Sequence, residues 1–104
     1  PFTSCLDYSL ADTLAQRGDH AAAARLFEEV TARDTPYRAK ARFELARLDL
    51  LHKRYHECAA KCQQLWKDKA FADAQPLLRV WGAALEGSGD ITRAAQCYAG
   101  KAPD

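Results

Sequence analysis

Ala11, Ala46 and Gly82 are small residues spaced 35 and then 36 apart, and each sits inside a stretch of helix-forming sequence. The turns that follow keep the same register: Gly18-Asp19-His20, Lys53-Arg54-Tyr55 and Gly89-Asp90-Ile91. Beyond each turn stand two residues four apart, Ala23 and Phe27, then Cys58 and Cys62, then Ala94 and Tyr98. A register held by both members of three successive pairs restricts the chain severely. It implies one helical hairpin made three times, and a hairpin that cannot bury its apolar face alone must stack on its neighbours.

The local signals agree with six helices. Ala, Leu, Arg, Glu and Lys dominate, Val and Ile are scarce, and no long run alternates apolar with polar residues. The first helix is expected from Ser4 to about Arg17, with Ser4 and Asp7 as a cap-like opening and Leu6, Leu10 and Leu14 as its stripe. Gly18 suits a left-handed C-terminal cap and Asp19 an N-cap, so the second helix runs through Ala23, Leu26, Phe27 and Val30 to about Arg33. Thr35-Pro36 is expected to start the third, which carries Ala41, Leu45, Leu48 and Leu51 and ends near His52-Lys53-Arg54. The fourth carries Tyr55, Cys58, Cys62, Leu65 and Trp66. Gln75-Pro76 opens the fifth, through Leu78, Trp81 and Leu85, and the sixth runs from Ile91 to Tyr98.

Laid over one another, the pairs resemble the tetratricopeptide repeat family, whose unit reads W-x2-L-G-x2-Y and then A-x3-F. The matching residues are Leu10-Ala11-x2-Leu14, Leu45-Ala46 and Trp81-Gly82-x2-Leu85, each followed by its second-helix pair. Asp7, Arg42 and Leu78 depart from the family's Trp, and Asp49 stands where Tyr is usual. The resemblance covers about Ser4 to Gly100. It implies an all-α fold, a right-handed α-solenoid of three antiparallel helix-turn-helix hairpins forming a single domain over 1–104, with repeats at about 4–37, 38–73 and 74–104. The chain has no Met, even at position 1, which reads as a piece of a longer protein.

Bulk properties exclude several function classes. The formal charge of +1 offers no strong field for nucleic acid or an acidic membrane. No apolar run reaches the eighteen or so residues that would cross a bilayer, and the start lacks the charged and apolar regions of a signal peptide. The stretch HKRYHECAAKC, 52–62, invites a metal reading, but helix geometry opposes it. Cys58 and Cys62 share a helix face, His56 lies about 200° from Cys58, and His52 falls before the turn. The thiols also fall where the repeat wants apolar residues, so they are read as core cysteines in a reducing, cytoplasmic setting. Gly87-Ser88-Gly89 lacks the rest of a phosphate loop, and Glu28-Glu29 lacks a convergent partner. No metal, cofactor or catalytic residue is expected.

In the tetratricopeptide family the first helices of successive repeats line a concave groove that holds peptides or partner helices. Carried onto this sequence, the groove would present Tyr8 and Asp12, then Lys40, Phe43 and Arg47, then Arg79 and Ala83. Arg47 and Arg79 could form charge-assisted bonds to carboxylates of an acidic segment. The family's clamp for chaperone C-termini needs Asn, which this chain lacks altogether. The expected function is a non-catalytic protein–protein interaction scaffold for a protein or peptide partner. The alternative is a docking or regulatory domain of a larger enzyme or membrane-associated assembly. Self-association through exposed repeat ends is a further expectation.

Overall fold

Punctuation by turn chemistry cuts the chain into six helices. The computed structural model describes residues 2–34 and 36–103, with side chains from residue 6 onward. In order these are α1 (Phe2–Gln16), α2 (His20–Thr31), α3 (Arg38–Leu51), α4 (Tyr55–Lys67), α5 (Gln75–Gly87) and α6 (Ile91–Tyr98). Each packs against the next in sequence, and α3 also touches α5. The assembly measures 41 × 27 × 17 Å, about two helices deep, so every helix keeps one face in the interior.

The three hairpin turns are built alike. Gly18, Lys53 and Gly89 all take the left-handed conformation, with φ of 89°, 62° and 96°. At each, the following residue's N–H returns to the carbonyl five residues back: Asp19 to Leu14, Arg54 to Asp49 and Asp90 to Leu85, at 2.7–2.9 Å. These bonds satisfy carbonyls that the helix end would otherwise leave open. Asp19 and Asp90 then cap α2 and α6, their carboxylates accepting from the N–H of Ala22 at 3.4 Å and Arg93 at 3.2 Å. Arg54 occupies the same position before α4 but makes no side-chain cap bond.

The interior forms two neighbouring clusters. One joins Ala11 of α1, Ala23, Phe27 and Val30 of α2, and Ala41, Leu45 and Leu48 of α3. The other joins Ala46, Cys58, Cys62 and Leu65 to Leu77, Trp81 and Leu85 of α5 and to Ala94 and Cys97 of α6. Ala11 and Ala46 are fully buried. Gly82 is buried too, and a Cβ on it would come 2.8 Å from the Tyr98 ring and 3.1 Å from Cys97 Cβ. At Gly82 the absence of a side chain is thus what lets α6 lie against α5.

Four local expectations need correction. The first helix begins at Phe2, so Ser4 lies inside it and is not a cap; its side chain lies outside the described residues. Asp7 does not cap either, because its carboxylate pairs with Arg33 at 2.7 Å and so ties the start of α1 to the end of α2. Pro36 sits in a turn, and α3 starts only at Arg38 with Tyr37 before it; Thr35 lies outside the described residues. The stripe of α1 is only partly buried, since Leu6 and Leu10 face water while Leu14 packs inward.

Candidate partner-binding surface

Helix periodicity places Tyr8 and Asp12 one turn apart on α1, while Glu44 and Arg47 lie three apart on α3. The fold brings these four side chains into one electrostatic group. Burial pushes the Tyr8 hydroxyl above the ordinary tyrosine range; the nearby carboxylates of Glu44 and Asp12 add to this, and Arg47 opposes it. The Tyr8 ring is held edge-on to Phe27 at 5.6 Å and against Tyr37 at 5.7 Å. Asp12 accepts a bond from Gln16 Nε2 at 3.1 Å. Arg47 Nη1 donates to both Glu44 oxygens, at 3.1 and 3.3 Å.

The remaining expected groove residues are distributed along the same series of first helices. Lys40 is exposed on α3, and Phe43 is half-buried with its ring edge-on to Phe71 at 5.7 Å. Phe71 comes from the α4–α5 connection, so that loop packs on α3 at Phe43. Arg79 is exposed and lines a cleft of 280 Å³ with Leu78, Cys97 and Tyr98, towards α6. Ala83 is half-buried on α5. The structure thus joins Tyr8, Asp12 and Arg47 in one group, sets Phe43 beside it in sequence under Phe71, and turns Arg79 towards the last helix.

Glu44 is the residue that sequence reasoning missed. It neutralises part of the charge that Arg47 would offer a carboxylate, and its three-residue spacing from Arg47 was the available signal. Also missed was an apolar cleft of 320 Å³ lined by Leu65, Trp66, Ala70, Phe71, Ala74 and Leu77. Trp66 and Phe71 are five apart in sequence, yet the helix ends between them at Lys67, so only the loop brings them to one cleft.

The cysteine and histidine stretch separates as helix geometry requires. Cys58 and Cys62 are fully buried, and the thiol hydrogen bond to Cys58, then burial, push Cys62 well above the ordinary thiol range. Burial likewise raises Cys97, against the opposing charge of Arg93. His56 is exposed, and His52 meets His20 rather than a cysteine. Among the described residues no group of three or more His, Cys, Asp or Glu side chains converges as metal ligands. Trp81 is buried and Trp66 half-buried, their rings 6.5 Å apart, which makes them packing residues in the second cluster.

Among the described residues Asp49 is the buried charge, only 8% exposed. Its carboxylate pairs with Lys61 Nζ and with Arg54 Nε at 3.3 Å. This ion triad ties α3 to the turn that follows it and to α4. Among the described residues no helix is long and apolar enough to cross a membrane. Comparison with protein-family models, with curated proteins and with solved structures finds no match.

Proposed function

We infer that the chain is a tetratricopeptide-like repeat scaffold, three hairpins of a right-handed α-solenoid, which binds a protein or peptide and catalyses nothing. The observation that carries this reading is the repetition of one joint. His20, first in α2, meets His52 after α3, and Tyr55, first in α4, meets Gly87 at the end of α5, each 35 residues further along. Repetition of contacts, and not only of residue types, is what a stacked hairpin array requires. The electrostatic influence of Glu44 and Arg47 of α3 on Tyr8 of α1, to which Asp12 adds, supports treating these four residues as one surface.

That surface is amphipathic and of mixed charge. Tyr8 offers the open part of a half-buried ring, Lys40 and Arg47 are exposed cations on α3, and Arg79 is a third on α5. A partner segment carrying carboxylates and an apolar side chain is the chemistry that would satisfy both. Such a partner must compete with Glu44 for Arg47, which favours a carboxylate that reaches Lys40 or Arg79 as well. The test is affinity capture with wild-type protein and with the Arg47→Glu, Arg79→Glu double variant, followed by direct titration of the captured partner. Binding weakened at least tenfold in the double variant supports the first-helix surface. Undiminished binding moves the interface to another face.

A further inference from the structure

We propose that His20 and His52 chelate one divalent transition-metal ion across the joint between the first and second hairpins. The site goes beyond the scaffold reading and does not depend on where a partner binds. Its two ligands come from opposite sides of the joint. His20 is the first residue of α2, set by the left-handed turn at Gly18 and the cap at Asp19. His52 directly follows α3, its backbone N–H bonded to the Leu48 carbonyl at 3.0 Å. Both are therefore anchored at helix ends, and His20 Nδ1 and His52 Nε2 stand 3.1 Å apart.

That separation is the spacing of two ligands on one ion. With metal–nitrogen bonds of about 2.0–2.1 Å, neighbouring ligands stand roughly 2.9 Å apart at a right angle and roughly 3.3 Å apart in a tetrahedron. The observed distance falls between these values. The rings meet edge to face, with planes at 79° and centroids 5.0 Å apart, so neither stacks over the other. Without metal, one imidazole donates its proton to the other. In the chelate both facing nitrogens offer lone pairs, so the donating ring carries its proton on its other nitrogen and none is lost overall. The ion sits to one side of the line between the nitrogens, because the midpoint is too near both for bonds of that length. His52 is exposed and His20 half-buried, which leaves the rings free to turn towards it.

The surroundings leave room for the ion and its water ligands. The pair lines a cleft of 370 Å³ with Ala21, Ala24, Leu48 and Arg54. Arg54 is the charged residue in that lining, and its guanidinium is engaged by Asp49 at 3.3 Å. Among the described residues the cleft offers no carboxylate or thiol, so two imidazoles are the protein's share of the coordination. Neutral imidazole suits the late divalent metals. An ion held from both sides cross-links α2 to the end of α3, and so binds the folded joint in preference to the unfolded chain. One hairpin further on, Tyr55 and Gly87 make the same joint without an imidazole, which confines the site to the first.

The experiment titrates zinc(II) into the full chain, free of any affinity tag, and follows it by calorimetry and by NMR of the histidine rings. One equivalent should bind, shifting the imidazole signals of His20 and His52 together. The signal of His56, the chain's third histidine, exposed on α4, should stay in place. Affinity should fall at least tenfold in His20→Gln and in His52→Gln and be unchanged in His56→Gln, with circular dichroism reporting the helix content of each. The wild-type spectra decide the matter even where a variant is unstable. Absence of binding at millimolar zinc overturns the proposal. So does binding that shifts His56 instead, or that persists undiminished in His52→Gln, since the ligands would then be other groups. None of these results touches the Tyr8–Arg47 surface, whose failure would appear in the partner titration instead.

Discussion

The ring of Tyr55, at the start of α4, lies directly on the backbone of Gly87, at the end of α5, so closely that a Cβ on Gly87 would overlap three ring atoms. One hairpin earlier the same joint is made by His20 Nδ1 and His52 Nε2, 3.1 Å apart with ring planes at 79°. One position thus uses two solutions: a ring set on a glycine, and two rings sharing a hydrogen bond. Both close the gap between a second helix and the first helix that follows it.

Gly87→Ala should therefore destabilise the protein, although alanine is the better helix former. The propensity gain is at most about 1 kcal/mol, while pushing the half-buried Tyr55 ring off its seat costs about 1–3 kcal/mol. A net loss of about 1 kcal/mol lowers the melting temperature by roughly 4–8 °C in a domain of this size. In a Tyr55→Ala background the overlap disappears and Gly87→Ala should become neutral or stabilising. A higher melting temperature for Gly87→Ala in the wild-type background would refute the close approach.

Lys53 supplies the second prediction. It holds the left-handed conformation at φ 62°, where the equivalent residues of the other two hairpins are Gly18 and Gly89. A side chain in that conformation costs roughly 1–2 kcal/mol, and glycine's extra freedom in the unfolded chain returns roughly 0.5–1 kcal/mol of the gain. Lys53→Gly should raise the unfolding free energy in urea by about 0.5–1 kcal/mol on that balance. Gly89→Ala should lower it. A destabilised Lys53→Gly variant would mean that the Lys53 side chain makes a contribution that its exposed position does not suggest.

How far the sequence could be read follows from which signals are local. Gly18, Asp19 and Pro76 act within one turn of chain, and each sits where its chemistry expected. The register of small residues was equally legible, because Ala11, Ala46 and Gly82 must be small only if helices meet there. The start of α1 was misread because Ser4 and Asp7 imitate a cap, whereas Asp7 is engaged by Arg33, 26 residues away. The stripe of α1 was misread in burial because periodicity fixes a face but not whether another helix covers it. Glu44 was overlooked because a single acid beside an arginine looks like surface until Tyr8 is set against it. In the candidate surface, helix phase put Tyr8 and Asp12 on one face of α1, while only the family resemblance implied that Arg47 of α3 would join them, and the turning of Arg79 towards α6 depended on packing across the third hairpin.

Asp49 should carry more stability than its polar neighbours. Removing the carboxylate leaves Lys61 and Arg54 facing each other's charge across a half-buried site. Both cations retain solvent, so the loss in Asp49→Ala is discounted to about 1–2 kcal/mol. Asp49→Asn should lose nearly as much, because the amide keeps the shape and gives up the charge. If Lys61→Met in the Asp49→Ala background recovers none of the loss, Lys61 is not the partner that matters.

Alkaline pH should weaken the fold through its buried thiols. Burial raises the Cys97 thiol above its ordinary range, and Cys62 is raised as well, so the folded chain keeps protons that the unfolded chain has already released. By linkage the contribution is fully present below the unfolded thiol value of about 8.5 and is lost as pH rises towards the folded value. Cys58 moves the other way because Cys62 donates to it, which makes Cys97 the cleaner position to change. Unfolding free energy from urea titrations should fall between about pH 8 and about pH 10, and the fall should be shallower in Cys97→Ala. The raised hydroxyls of Tyr8 and Tyr98 add to the decline only above about pH 10. A stability that is flat across the thiol range, or an unchanged slope in Cys97→Ala, would mean that Cys97 ionises in the folded chain as readily as in water, and so that α6 does not seal it against α5.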